Sequence, residues 1–174
     1  NKGHIKNFGA NALDINGIVY SWGANNYGQI GDGTYTTSIT PYTTNITTAS
    51  DISAGHQFSL ALLSTGEIQS WGKNDLGQLG LGNTNTTNFP FIISGISNVS
   101  QISSGQNHSI ALLNDGTVWS WGDNQFGQLG IGTFINQSTP QQLTGLSGIE
   151  SINCGVNHTL AIDSLGNLYA WGHN

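Results

Sequence analysis

A Trp-Gly pair returns four times along this chain, at Trp22-Gly23, Trp71-Gly72, Trp121-Gly122 and Trp171-Gly172, with spacings of 49, 50 and 50 residues. Self-similarity at a fixed period marks an architecture in which no unit buries its apolar face alone and each must stack on its neighbour. The surrounding residues keep the same frame. Ala12, Ala61, Ala111 and Ala161 stand ten positions before each Trp, and Gly17, Gly66, Gly116 and Gly166 stand five before. Gly55, Gly105 and Gly155 precede the last three by sixteen. Gly-Gln-Ile/Leu-Gly-x-Gly follows the first three, at 28–33, 77–82 and 127–132. All the prolines, Pro41, Pro90 and Pro140, fall at one repeat position.

Within a repeat the pattern is all-β. Apolar runs such as Phe58-Ser-Leu-Ala-Leu-Leu and His108-Ser-Ile-Ala-Leu-Leu end in turns, Asn16-Gly17 and Asp115-Gly116 being dipeptides that supply the positive φ of a tight hairpin. A second strand follows in Thr117-Val-Trp-Ser-Trp-Gly, and Val99-Ser-Gln-Ile-Ser supplies another before the frame glycine. The prolines suit an edge strand, where a missing N–H is tolerated. No stretch sustains a helical period. Four short antiparallel strands per repeat of about 50 residues predict β-propeller blades. The expected organisation is a single partial propeller over 1–174, with repeats at roughly 1–50, 51–98, 99–148 and an incomplete 149–174.

Charge narrows the function. Net charge is −6, and the basic residues are Lys2, Lys6 and Lys73 alone. Three lysines cannot form the basic stripe that replaces counterions on nucleic acid, and they give little attraction to an anionic membrane. No apolar run is long enough to insert as a helix. Charged residues make up 7% of the chain, and Asn, Thr, Ser, Gln and 25 Gly fill the polar positions.

The run Gly105-x-x-His108-Ser-x-Ala111-Leu, then Asp115-Gly-x-Val-x-x-Trp121-Gly-x-Asn124, then Gly127-Gln-Leu-Gly-x-Gly132 resembles the regulator of chromosome condensation repeat. Gly55 to Gly82 carries it with Phe58 in place of the His, and the last repeat carries Gly155, His158, Thr159 and Ala161. The first repeat is degraded, with Lys6 and Gly9 where Gly and His would stand. The resemblance implies seven-bladed rings of four-stranded blades, on the order of 350 residues, of which this chain holds about half. A half-ring has open blade edges, so the expectation is either a fragment of a longer propeller or self-association through those edges.

Each candidate for chemistry has a structural reading that fits better. The Gly-Gln-Leu-Gly loops are not phosphate cradles, because no helix follows to aim its N–H groups. His108 and His158, followed by Ser109 and Thr159, read as buried imidazole-hydroxyl pairs at blade junctions. Equivalent residues of adjacent blades diverge, so no metal site is expected. Cys154, in the slot of Ala54 and Ser104, reads as an inert small residue. The acidic residues form no acid-base couple. No cofactor and no catalytic residue is expected. The four frame tryptophans are expected to pack between blades.

What escapes the frame lies at 35–42, 83–91 and 134–142, where Tyr35, Tyr42, Phe89 and Phe134 are candidate contact residues on connecting loops. The expected function is a non-catalytic protein-interaction module of a secreted or surface protein, with a cytoplasmic setting as the alternative. The resemblance leaves two further readings open: a nucleotide-exchange regulator of a small GTPase, and a secreted enzyme inhibitor like the β-lactamase inhibitor propeller. The first needs a full ring and a wedge insertion, and no inter-repeat loop is enlarged.

Overall fold

The computed structural model of the protein describes residues 2–6 and 9–173, the first segment by its backbone alone. The chain ends at Asn1 and Asn174, and the side chains of Lys2, His4 and Lys6, lie outside the described residues. All regular structure described is β-strand. The first sheet holds β1 (Lys2–Lys6), β2 (Gly9–Leu13), β3 (Val19–Gly23) and β4 (Ser38–Thr43); the second β5 (Ala49–Ala54), β6 (Phe58–Leu63), β7 (Ile68–Gly72) and β8 (Thr87–Ile92). The third holds β9 (Val99–Ser104), β10 (His108–Leu113), β11 (Val118–Gly122) and β12 (Gln137–Gln142); the fourth β13 (Ile149–Cys154), β14 (His158–Asp163) and β15 (Leu168–Gly172).

Every sheet is an antiparallel meander in chain order, four strands in blades one to three and three in blade four. The degraded first repeat still forms a four-stranded sheet, with Lys6 paired to Gly9. The first strands of neighbouring sheets, β1, β5, β9 and β13, pack side by side. They form the inner wall from which the blades fan outward. Hairpins between second and third strands turn at Gly17, Gly66, Gly116 and Gly166, all at positive φ. Asn16 and Asp115 do not share that conformation. Each turn is therefore a wider three-residue loop closed by a left-handed glycine, as in Leu113 N–H to Thr117 O at 2.9 Å, and not a two-residue turn with both residues left-handed.

The core lies between blades. Leu13, Val19 and Ile46 of blade one bury against Ile52, Ala61 and Trp71 of blade two. Phe58, Ile68, Leu79 and Ile93 meet Val99, Ile102 and Trp121. Ile110, Val118 and Leu143 meet Ile152, Cys154 and Ala161. In blades one to three the apolar face is covered by the next sheet, so the three junctions carry the hydrophobic stabilisation of the described fold.

Candidate interaction surface

The frame residues build the joints between blades. In each Gly-Gln-Leu-Gly loop an Asn three positions after the Trp acts as a brace: Asn25, Asn74 and Asn124 accept from Ile30, Leu79 and Leu129 N–H at 2.9 to 3.0 Å. The Gln side chain braces a second turn, Gln29 Oε1 accepting from Tyr27 N–H and Gln78 and Gln128 doing the same for Leu76 and Phe126. So held, the Gln main-chain carbonyl points into the next blade. Gln29 O accepts from Trp71 Nε1 and Ser59 Oγ at 2.9 and 3.1 Å. Gln78 O accepts from Trp121 Nε1 and Ser109 Oγ at 3.0 and 2.9 Å. Gln128 O accepts from Trp171 Nε1 and Thr159 Oγ1 at 2.9 and 2.8 Å. The five-membered ring of each indole packs against Gly31, Gly80 or Gly130, where an added Cβ would stand 2.9 Å or less from the ring nitrogen. These loops are joints between blades, their middle glycines covered by the next blade's indole.

Trp71 and Trp121 are fully buried. Trp171 is half-buried but makes the same bond. Trp22 is half-buried and, contrary to the expectation of four equivalent indoles, is not packed between two blades, because no described blade precedes it. A similar end effect corrects His158. His108 is fully buried and its Nε2 lies 3.1 Å from Thr159 Oγ1. Since that hydroxyl donates to Gln128 O, the imidazole is the donor. His158, in the same frame position, is exposed, because no described blade lies beyond the fourth. Gly55, Gly105 and Gly155 are glycine for a steric reason: the rings of Phe58, His108 and His158 occupy the space an added Cβ would take.

The inner wall encloses a concavity of about 320 Å³ lined by Asp51, Ser53, Gln101, Ser103, Asn153 and Cys154. Gln101 bridges blades three and four by accepting from Ile152 N–H and donating to Ile152 O, at 3.0 and 3.2 Å. Cys154 is buried, its N–H on Ser103 Oγ. Among the described residues no three His, Cys, Asp or Glu side chains come together as metal ligands. Lys73 pairs with Asp75 at 3.2 Å and sits 5.3 Å from the Tyr27 ring centroid, which is a surface contact.

Exposed aromatics stand on the outer strands and on the loops that lead into them, with Phe126 a further one beside His173. Tyr35 and Phe134 stand on loops, 52% and 74% exposed. Tyr42 and Phe89 do not lie on loops; they belong to the outer strands β4 and β8. Each proline sits on that outer strand, so the segment read as a connector pairs with its sheet as an edge. Phe89 also sets the tip of its ring against Gly33 of blade one and is 48% exposed. The sequence reading missed Phe91, which occupies on blade two the position Tyr42 holds on blade one. Phe91 and Ile92 border, with Leu81 and Asn85, a groove of about 340 Å³. The signal for Phe91 was its alternation with Phe89 along Thr87–Ile92, legible once that segment is taken as a strand.

A model described as the regulator of chromosome condensation (RCC1) repeat matches residues 16–62, 65–112 and 115–162. A second model of the same description matches 49–78 and 99–128. No curated protein matches the sequence. Among solved structures, human WBSCR16 is 26% identical with a TM-score of 0.85 over 95% of this chain and 45% of that one. Prp20p from Saccharomyces cerevisiae, in a structure described with its binding properties to Gsp1p and histones, is 23% identical with a TM-score of 0.86 over 98% and 44%. The ectodomain of the Physcomitrella patens receptor kinase CR4 is 21% identical with a TM-score of 0.57 over 95% and 39%. The chain thus spans less than half the length of these solved structures.

Proposed function

The chain belongs to the regulator of chromosome condensation (RCC1) repeat family, and from that premise we propose that it is a non-catalytic protein-interaction module whose contact surface is the aromatic outer rim. The carrying observation is the division of labour among residues. Frame side chains are committed to joints between blades, whereas Tyr42 and Phe91 stand partly exposed at one position on successive blades, with Phe89 on the same strand as Phe91 and Tyr35 and Phe134 exposed on the loops leading into β4 and β12. Rigid aromatics among Thr, Asn and Ser give contact area at low entropic cost. The sparse basic charge favours a protein over a nucleic acid as partner. The low charge and the Asn- and Thr-rich exterior support a secreted or surface setting.

The test is a Tyr42→Ser, Phe91→Ser double variant of the whole chain. Extracellular and cytosolic fractions are captured in parallel on the immobilised protein and on this variant. The expected result is a protein retained by the first and lost by the second at unchanged melting temperature. Equal retention would overturn the assignment of the rim. Exchange assays on small GTPases discriminate the regulator reading; no acceleration is expected, since the loops joining third to outer strands are equal in length and none carries an added wedge.

A further inference from the structure

In blades one to three the hairpin between second and third strands also ties the blade to its neighbour. Its left-handed glycine offers a carbonyl to the first strand of the next sheet. Ala49 N–H donates to Gly17 O at 3.0 Å, Val99 N–H to Gly66 O at 3.0 Å and Ile149 N–H to Gly116 O at 3.4 Å. The approach at Gly17 is tight: an added Cβ would stand 3.0 Å from Ala49 O and 3.2 Å from Thr47 O. The residue before each of these glycines therefore sits one peptide bond from a joint.

That residue differs from blade to blade, being Asn16, Thr65, Asp115 and Leu165 in turn. Thr65 and Leu165 have no side-chain carbonyl for a nucleophile to attack. Asp115 has one, but its Oδ1 accepts from Thr117 N–H at 3.0 Å and from the Thr117 hydroxyl at 2.7 Å. Those bonds favour the ionised carboxylate, which is a poor electrophile. Asn16 instead carries a neutral amide on an exposed residue, and the bond from its Nδ2 to Asp14 Oδ2 is long, at 3.4 Å. The nitrogen that follows belongs to a residue without a side chain, so approach to it is open. The bond from Gly17 N–H to Asp14 O is also long, at 3.3 Å. No other asparagine in the sequence is followed by glycine.

We propose that Asn16-Gly17 is a self-modification site, at which Asn16 is converted without an enzyme into aspartate and isoaspartate. Gly17 N attacks Asn16 Cγ. The N–Cγ bond forms, the Cγ–Nδ2 bond breaks, and ammonia leaves with the proton from Gly17 N–H. Water then opens the five-membered imide. Opening at Cγ gives aspartate; opening at the main-chain carbonyl carbon gives isoaspartate, whose backbone runs through Cβ and Cγ. The net change is one water taken up and one ammonia released. Both products act on the joint. The new carboxylate faces that of Asp14 across the gap the amide bridged, and like charges so close repel. Isoaspartate also lengthens the main chain by one carbon just before Gly17, where Ala49 and Thr47 leave no slack. The modification thus loosens the junction of blades one and two as the protein ages. It does not depend on the aromatic rim having a partner.

The experiment ages the folded 174-residue chain in mildly alkaline buffer. Peptide mass spectrometry, isoaspartate-specific carboxyl methylation and thermal melting follow it in parallel. The expected result is conversion at Asn16 at about tenfold the rate of any other asparagine or more, with isoaspartate among the products and a falling melting temperature. Asn16→Gln, whose longer side chain would need a six-membered ring, is expected to keep both its mass and its melting temperature. Asn16→Asp carries the charge without the extra carbon, and its melting temperature is expected between those of the fresh and the isoaspartate-rich chain. Conversion spread evenly over the asparagines, or isoaspartate arising as fast at Asp115, overturns the proposal. So does an Asn16 that stays intact while a peptide of residues 12–20 converts, which would mean that the folded hairpin protects it. Conversion at an unchanged melting temperature would show that the junction does not feel the change, and overturns it too.

Discussion

Trp121 donates its indole N–H to the main-chain carbonyl of Gln78, 43 positions earlier and one blade away, at 3.0 Å. The same bond joins Trp71 to Gln29 and Trp171 to Gln128, so a contact distant in sequence is local in the stack. A carbonyl shared between an indole and a hydroxyl keeps a buried acceptor satisfied twice over.

Replacing Trp121 by Phe removes one donor and part of a buried ring that lies on Gly80. The expected loss is about 2–3 kcal/mol, combining a lost hydrogen bond with incomplete filling of the site. Trp22 is half-buried with no described blade before it, so Trp22→Phe is expected to cost about 1 kcal/mol or less. Urea denaturation of the two variants checks the contrast. Equal losses would mean that the frame position, and not the junction, sets the energy.

The repeat made most of this fold legible before any coordinates. Period gave the blades, and the prolines marked the outer strands. The loops were misjudged at Tyr42 and Phe89, because the edge strand is short and proline-bearing and its pairing depends on a sheet the local sequence does not show. End effects were equally hidden: His108 and His158 hold the same frame position, and the difference is that a described blade follows the first, which is buried, while none of the described residues lies beyond the second, which is exposed. The joints themselves rest on a main-chain carbonyl of Gln, an atom every residue has. Only the brace residues Asn25, Asn74 and Asn124 hinted at a fixed loop.

His108 rests on Gly105 as Phe58 rests on Gly55. A His108→Phe variant therefore loses the bond to Thr159 Oγ1 but fills the same space, at an expected cost of about 1 kcal/mol. His108→Ala opens a void at the junction as well and is expected to cost about 2–4 kcal/mol. Thermal melts of the pair should rank them in that order. The reverse order would show that the hydrogen bond, not the packing, secures the third junction.

Gly105→Ala addresses the other partner of that contact. The added methyl would collide with the His108 ring and stand 2.8 Å from Gly155 O. Both neighbours are fixed, one by Thr159 and the other by its own blade, so the expected loss is about 2–3 kcal/mol. Pairing Gly105→Ala with His108→Ala should recover part of it, since the smaller side chain admits the methyl. A double-mutant cycle measures this coupling, and strict additivity would refute the steric account of the frame glycine.

Acid sensitivity follows from the hairpin carboxylates. Asp163 is held below the ordinary carboxylate value of 3.8, chiefly by the Asn167 side chain, with Asn167 N–H, the Tyr169 hydroxyl and Leu165 N–H adding to it against the opposing effect of burial. Asp14, at the same position of blade one, is lowered first of all by Ile18 N–H. Because the folded value lies below the unfolded one, the stability these groups contribute is complete above the unfolded value and is lost as pH falls through the folded value. Blades two and three carry Leu63 and Leu113 at this position, but blade three has a hairpin carboxylate of its own, Asp115, lowered chiefly by the Thr117 hydroxyl and then by Thr117 N–H, so blades one, three and four share this dependence. Asp163→Asn keeps the shape of the turn and removes the charge. Its melting temperature is expected to lie below that of the unaltered chain at pH 7, the gap closing once the pH drops beneath the usual carboxylate range. Melting curves recorded from pH 7 to pH 2 decide it: a gap that stays constant or widens in acid would mean that the ionised carboxylate does not hold this hairpin.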